Sequence, residues 1–85
     1  MMWSVTWDPA AVADLMQLSP SDAARVDRVV QEYAATGRGH VTRIETEDGP
    51  HFRLYVFPRF LVRFVLDRTT ETLHVWRVLI RVRGA

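Results

Sequence analysis

Arginine side chains alternate with apolar residues through the last third of the chain. All eleven basic residues of this 85-residue sequence are arginine. A guanidinium group is a rigid fork of N–H donors that matches the oxygen atoms of a phosphate. Every second side chain of an extended strand points to the same face, and this parity groups four arginines: Arg53, Arg63, Arg77 and Arg81. The grouping is typical of a surface that binds a phosphate-bearing ligand, with Tyr55 and Phe57 available to stack on a base.

A second interpretation of the same face needs no ligand. The long aliphatic stem of arginine can lie flat over apolar neighbours while its charged end stays in water. The arginines would then simply cover Leu61, Val75 and Leu79 on a half-exposed sheet. The sequence alone does not choose between a ligand surface and a solvated one.

Three consecutive strands are predicted to carry these arginines, over Phe52 to Phe57, Phe60 to Asp67 and Leu73 to Val82. Their short connections, at Pro58-Arg59 and between Arg68 and Glu71, predict antiparallel neighbours. The opposite parity is almost purely apolar, so we expect it to form the core. That set comprises Phe52, Leu54, Val56, Phe60, Val62, Phe64, Leu66, Trp76, Val78, Ile80 and Val82.

The elements before these strands are predicted to cover the apolar face. Trp3 to Trp7 alternates like a half-buried strand, and Asp8-Pro9 and Ser19-Pro20 both have the pattern of a helix start. The expected buried stripes are Val12, Leu15 and Met16, with Leu18 near the end, in the first helix, and Val26, Val29, Val30 and Tyr33 in the second, which ends at Gly37. Residues 40–50 have no clear pattern. We therefore predict one α+β domain over 1–85, ordered β-α-α-β-β-β, with a helical hairpin on one face of a mainly antiparallel sheet.

Composition excludes several classes of site. The chain has no cysteine, and its three histidines do not follow a metal-ligand spacing; we expect no metal and no cofactor. No charged segment followed by an apolar run marks a signal peptide, and no run is long enough to span a membrane, so a soluble cytoplasmic protein is expected. Positions 1–36 hold five acidic and two basic residues, whereas 50–85 hold seven arginines against two acids. This asymmetry favours an anionic partner for the second part.

Candidates for proton transfer are few. His40 and His51 lie near predicted turns and His74 near a strand start, where solvated or structural roles are the more common ones. Glu45 and Glu47 belong to the only acidic cluster near the basic strands, so they are the alternative location for a general base.

The order of elements resembles the RelE/ParE superfamily of bacterial toxin–antitoxin toxins, over nearly the whole chain. Three segments carry the likeness: the opening VTWDPAAVADL, the pair FRLYVFPRFLVRFVLD, which is similar to a family pattern like YRLRVGDYRVLYEID, and the ending WRVLIRVR, which is similar to LRVGHRR. The resemblance implies a small toxin silenced by a cognate antitoxin. RelE-type members cleave mRNA in the ribosomal A site without a metal, using basic side chains on the open sheet face, whereas ParE-type members inhibit DNA gyrase.

The resemblance also assigns roles to particular residues. It implies catalytic roles for Arg53, Arg81 and Arg63, which match or lie near basic family positions. We also predict substrate binding for Arg77, Tyr55 and Arg83 on the same face; of these, Tyr55 is at the position of a second family lysine. The pocket lysines are absent, and Leu79 and Ile80 replace the glycine and histidine of the family ending. The sequence stops at Ala85, before the catalytic Tyr or His that nucleases of this type usually carry.

Three functions therefore remain open at the level of sequence. The leading one is a toxin that acts as a ribosome-dependent mRNA endonuclease and inhibits translation. The second is a ParE-like, non-enzymatic gyrase inhibitor, and the third is an inactive binding module of the same fold.

Overall fold

The computed structural model describes residues 2–81, so Val82 and Arg83 lie outside the described residues. Seven elements follow one another: β1 (Ser4–Trp7), α1 (Pro9–Met16), α2 (Pro20–Thr36), β2 (His40–Thr46), β3 (Gly49–Val56), β4 (Phe60–Asp67) and β5 (Thr72–Ile80). The five strands form one sheet in the order β1-β5-β4-β3-β2. Pairing is antiparallel except between β1 and β5, which are parallel. The predicted α+β class is confirmed.

Strand β2 is the element for which the sequence had no clear pattern. It forms a hairpin with β3, in which His40 is opposite Tyr55 and Thr42 is opposite Arg53. Most of its side chains are exposed, and only Val41 and Ile44 are partly buried. Because an edge strand of this kind buries little, it lacks the strong apolar alternation by which a strand is recognised.

Both helices begin at the predicted residues. The Asp8 carboxylate accepts a hydrogen bond from the Ala10 amide at 2.9 Å, and the Ser19 hydroxyl accepts one from the Asp22 amide at 3.2 Å. Proline occupies the first turn of each helix. Gly37 ends α2 in the left-handed region, with φ of 77°. These caps satisfy amide groups that would otherwise lack intrahelical partners.

The core lies between the helices and one face of the sheet. The predicted stripe of α2 is confirmed: Val26 and Val30 are buried, and Val29 and Tyr33 pack against the core. In α1 the prediction is wrong for Val12 and Met16, which are 42% and 78% exposed. Ala11 is buried instead, and Leu15 and Leu18 pack beside it. A small residue on the buried face lets this short helix lie close to β5, which turns Val12 and Met16 outward.

A β-bulge in β5 changes the predicted division of the two sheet faces. Arg63 of β4 is opposite Arg77 and Phe64 is opposite Val75, so Trp76 is an extra residue in β5. Leu73 and Val75, which parity placed on the arginine face, are fully buried. Trp76, which parity placed in the core, lies on the open face, meaning the sheet face opposite the helices. One inserted residue reverses side-chain parity on either side of it.

The end of β5 also differs from the predicted core. Ile80 is opposite Phe60 but is 56% exposed. Phe60 itself is buried, as are Leu54, Val56, Val62 and Phe64, whereas Phe52 and Leu66 are partly buried and pack against the core. The apolar face is therefore confirmed for β3 and β4 and is displaced by the bulge in β5.

Gly39 provides a stability test at the junction of α2 and β2. Its φ is 157°, and a Cβ added there would lie 2.9 Å from Leu54 Cδ1 and 3.3 Å from Tyr33 Cδ1. Gly39→Ala should lower the free energy of unfolding by about 1–3 kcal/mol, measured by urea denaturation. Gly49→Ala is the matched control, since φ is 107° there and no atom lies within 4 Å. An equal loss in both variants would show that backbone strain alone, and not the Leu54 contact, sets the cost.

Candidate functional site: a basic, aromatic sheet face

Two arginines face each other on neighbouring central strands of the open face. Arg53 of β3 is directly opposite Arg63 of β4, and both side chains are partly buried. Neither forms an ion pair with an acidic side chain among residues 2–81. Like charges directly opposite one another in a sheet destabilise it. An anion placed between the two guanidinium groups would convert this repulsion into attraction.

A cavity of about 150 Å³ lies at this arginine pair. The Arg63 guanidinium carbon lies 5.6 Å from the centre of the Trp76 ring, which is a cation–π distance. His51 meets the same indole edge-on, with ring centres 5.6 Å apart. We call this the arginine cavity; it is lined by Ile44, Thr46, His51, Phe52, Arg53, Arg63 and Trp76.

Three N–H donors of the arginine cavity have no hydrogen-bond partner. They are Arg53 Nε, Arg63 Nε and Trp76 Nε1, and each is shielded from solvent. A buried donor left unpaired costs about 1–3 kcal/mol. Arginine and tryptophan side-chain nitrogen atoms donate and do not accept, so none of these three atoms can be satisfied by another donor.

A second cavity of about 240 Å³ lies beside the first on the same face. The Arg81 guanidinium carbon lies 5.2 Å from the Tyr55 ring centre and 5.9 Å from that of Phe57. Tyr55 and Phe57 are stacked at 6.2 Å, and His40 meets Phe57 edge-on at 5.0 Å. We call this the aromatic cavity; it is lined by His40, Val41, Thr42, Tyr55, Phe57 and Arg81.

The two cavities are adjacent along β3. Arg53 and Tyr55 are two residues apart on one strand and therefore share a face, roughly 7 Å apart. Thr42 lines the aromatic cavity and is also the residue opposite Arg53. The spacing is close to that of successive phosphates or bases in an extended nucleic-acid strand. The pair of cavities thus has the layout of a surface that holds a phosphate at one end and a base at the other.

The predicted site residues do not form one group: four lie in two separate cavities, and Arg77 lies in neither. Arg53 and Arg63 meet in the arginine cavity, and Arg81 and Tyr55 meet in the aromatic cavity. Arg77 lines neither cavity, and Arg83 lies outside the described residues. The four arginines therefore do not converge on one point as the parity pattern predicted.

Arg77 instead joins β5 to α1 through Asp14. The Asp14 carboxylate accepts from Arg77 Nε at 2.8 Å and Nη2 at 3.2 Å, and from the backbone amide of Val78 at 2.9 Å. The bond to Val78 gives its backbone amide a partner at the edge of β5, beyond the last residue that pairs with β1 and beside the bulge at Trp76. The hydrogen bond from Arg77 lowers the pKa of Asp14 and outweighs the opposing effect of burial.

Asp14→Ala should therefore destabilise the protein in a pH-dependent way. A carboxylate whose pKa is lowered by folding contributes stability above its unfolded pKa, near pH 4, and loses it as the pH falls through the lowered folded value. At pH 7 the loss of the acceptor for the Val78 amide alone costs about 1 kcal/mol. Urea denaturation should show the difference from wild type shrinking below about pH 4. Asp27→Ala is the control, since Asp27 is an exposed acid that accepts a hydrogen bond from Gln31; a pH-independent loss in Asp14→Ala would contradict the assignment.

Several residues of the site were not identified by the sequence. Trp76 was assigned to the core because the bulge could not be seen in the alternation. His51 and His40 were treated as solvated residues near turns, but each contacts an aromatic ring of a cavity. The structural role predicted for His74 agrees with its contacts, since its Nδ1 lies 2.7 Å from the Thr6 hydroxyl and its Nε2 3.7 Å from Asp8.

Acidic residues do not line either cavity. The Glu45 carboxylate binds Arg43 on its own strand, and Glu47 lies in the turn after β2. Within residues 2–81, no group of three His, Cys, Asp or Glu side chains is arranged to hold a metal ion. Nor is any helix of this part of the chain long and apolar enough to cross a membrane.

Comparison with known proteins gives a clear result for the fold. No protein-family model and no curated protein matches the sequence. A chain of the RelBE2 toxin–antitoxin complex from Mycobacterium tuberculosis superposes with a TM-score of 0.80 at 18% identity, covering 95% of this chain and 100% of that one. The chain has the RelE fold. A chain of the archaeal RelE–RelB complex from Pyrococcus horikoshii OT3 superposes equally well, with a TM-score of 0.80, 13% identity and coverage of 99% and 100%.

The RelE fold confirms the architecture that the sequence resemblance implied. Identities of 13% and 18% show that the backbone arrangement is shared while most side chains differ. The chemistry of the open face must therefore be argued from the residues of this chain, and two of its features, the facing arginines and the tryptophan at the bulge, follow from its own register.

Proposed function

We propose that the protein is the toxin of a type II toxin–antitoxin system. The RelE fold supports this, and both similar structures are complexes of RelE-type and RelB-type chains. A cognate antitoxin would cover the open face and present carboxylates to the unpaired arginines, since charge complementarity steers such partners together. Co-expression with a short acidic protein encoded by the adjacent gene should relieve toxicity.

We further propose that the toxin cleaves mRNA on the ribosome and thereby inhibits translation. The observation that carries this proposal is the facing pair Arg53 and Arg63, which lack an anionic partner among the described residues. A scissile phosphate held between them would gain charge as it is attacked, and preorganised guanidinium groups stabilise that charge in place of a metal. Arg81 and Tyr55 would bind the flanking nucleotide in the aromatic cavity.

The test is cleavage of a defined mRNA on programmed ribosomes, with the protein added in purified form. Primer extension should reveal a new 5′ end at the codon in the A site, and free mRNA under the same conditions should be cut far more slowly. Intact mRNA on wild-type-treated ribosomes would contradict the nuclease proposal. A ribosomal substrate also implies a cytoplasmic protein.

Gyrase inhibition is the second candidate, and one observation favours it. Neither cavity has a carboxylate in its lining, so Glu45 and Glu47, the alternative candidates for a general base, line neither, and a non-enzymatic inhibitor needs no such base. Supercoiling by purified gyrase would then fall at micromolar protein, with mRNA left intact. If neither target responds and expression without antitoxin is harmless, the chain is an inactive binding module of the same fold.

A further inference from the structure

Strand β2 forms an uncovered edge of the sheet. It is the last strand in the order β1-β5-β4-β3-β2, and among residues 2–81 no other strand pairs with its outer side. The opposite edge strand, β1, is only four residues long, and the amide of Trp3, just before it, donates to the Ala34 carbonyl of α2 at 2.9 Å. An edge strand of seven residues presents backbone donors and acceptors on which a further strand can pair.

Pro50 identifies which backbone groups of β2 lie at this edge. It is opposite Glu45 and has no amide hydrogen, so this pair does not exchange hydrogen bonds between β2 and β3. Hydrogen-bonded and non-hydrogen-bonded pairs alternate along antiparallel strands. The backbone groups of Thr42 and Ile44 therefore bond to β3, whereas the amide and carbonyl groups of Arg43 and Glu45 point away from it.

We propose that two copies of this chain pair through their β2 strands, antiparallel and centred on Ile44. In this register Arg43 of one copy is opposite Glu45 of the second copy, and the two-fold symmetry repeats the contact. Both residues have outward backbone groups, so each of these pairs exchanges two N–H···O bonds across the interface. The proposal goes beyond the proposed function and does not depend on it.

The charges of β2 favour this register over its neighbours. Arg43 and Glu45 form an ion pair within one chain, yet their side chains are 59% and 67% exposed and remain accessible to a second copy. A pairing centred on Arg43 or on Glu45 would place like charges directly opposite each other, which destabilises a sheet. A pairing centred on Ile44 places opposite charges there instead. An edge with charges of one sign would repel its own copy, whereas β2 attracts it.

The centre of the proposed interface is apolar and adjoins the open face. Ile44 is partly buried in one chain, and it would face its own copy at a non-hydrogen-bonded position, where side chains come closest. The two-fold axis of such a pair is perpendicular to the sheet, so both open faces point the same way. Because Ile44 and Thr46 line the arginine cavity, the two arginine cavities would lie on either side of the axis in one continuous sheet.

Pairing along a single strand predicts a weak dimer. A contact of this size is smaller than a stable interface, so we expect a dissociation constant in the micromolar range. Sedimentation velocity of the purified chain, from low micromolar to several hundred micromolar protein, should show the mass rising from one chain to two. Added salt should weaken the association, because the ion pairs are exposed. The mass of a single chain at every concentration would overturn the proposal.

Amide hydrogen exchange locates the interface within β2. The amides of Arg43 and Glu45 should exchange rapidly in dilute protein and become protected as the dimer forms. The amides of Thr42 and Ile44 are the internal control, since they already bond to β3 and should change less. A dimer that leaves the Arg43 and Glu45 amides unprotected would overturn pairing through this edge.

Two charge reversals test the register. Arg43→Glu places two acids, and Glu45→Arg two arginines, at the facing positions, so each variant alone should associate roughly 10-fold more weakly than wild type. Mixed in equal amounts, the two variants should form a heterodimer of wild-type strength, because every facing pair then has opposite signs. Recovery on mixing also shows that both variants are folded. Wild-type association of either variant alone, or no recovery on mixing, would overturn the register.

Arg28→Glu and Glu32→Arg are the matched controls. They reverse the same charges at exposed positions of α2, so each should dimerise like wild type and mixing them should change nothing. Weakened association of these variants would show that net charge, and not position on β2, governs the dimer. None of these measurements involves a ribosome or gyrase, so their failure and the failure of the proposed function are distinguishable.

Discussion

Arg53→Ala should slow mRNA cleavage on programmed ribosomes by roughly 100-fold or more, because loss of one preorganised donor to a developing oxyanion has an effect of that size. Arg53 is one of only two cations placed directly opposite each other at the arginine cavity. Its removal leaves Arg63 to hold the phosphate alone, which lowers both binding and transition-state stabilisation. Single-turnover cleavage rates at saturating toxin measure the second effect separately.

Arg68→Ala is the matched control for this substitution. It removes the same charge and the same side chain, but Arg68 is exposed in the turn between β4 and β5 and lines neither cavity. Both variants should melt near the wild-type temperature, since removal of Arg53 also relieves its repulsion with Arg63. Wild-type activity in both variants would contradict a role for the arginine pair. An equal loss of activity in both would show that overall charge, and not position, governs activity.

The sequence predicted the parts of this site that depend on uninterrupted alternation. Arg53, Tyr55 and Arg63 share the open face because β3 and β4 pair without a break over Phe52 to Phe64. The alternation also predicted the buried residues of the same strands, of which Leu54 and Val62 are fully buried. Within the paired stretch each residue of one strand is opposite a single residue of the other.

The failures of prediction in β5 share a physical cause, which is that this strand has a break in its register. Alternation of apolar residues in HVWRVL fits either parity, because Trp76 and Val75 are both large and apolar. The bulge lies directly before a contact with α1, where Asp14 binds the Val78 amide and Arg77. That contact joins residues more than sixty positions apart, so no local pattern reports it. The same distant ion pair withdrew Arg77 from the predicted phosphate surface.

The two faces of the sheet predict opposite consequences for the loss of similar aromatic rings. Phe64 is fully buried, stacks on Phe52 at 5.2 Å and contacts Tyr33 at 5.5 Å. Phe57 is 53% exposed and stacks with Tyr55 in the aromatic cavity. We therefore expect one ring to contribute to folding and the other, under the proposed function, to ligand binding.

Phe64→Ala should lower the free energy of unfolding by about 3–5 kcal/mol, because it removes a buried ring and leaves a cavity. A domain of this length has a total stability of roughly 4–13 kcal/mol, so much of the folded population can be lost. Phe57→Ala, the control, should change the urea midpoint little and instead weaken binding of a short single-stranded RNA, since a stacked base contributes about 1–3 kcal/mol. Equal losses of stability in the two variants would contradict the division into a core face and a ligand face. Normal RNA binding by folded Phe57→Ala would remove the aromatic cavity from the binding surface and leave the arginine cavity to act alone.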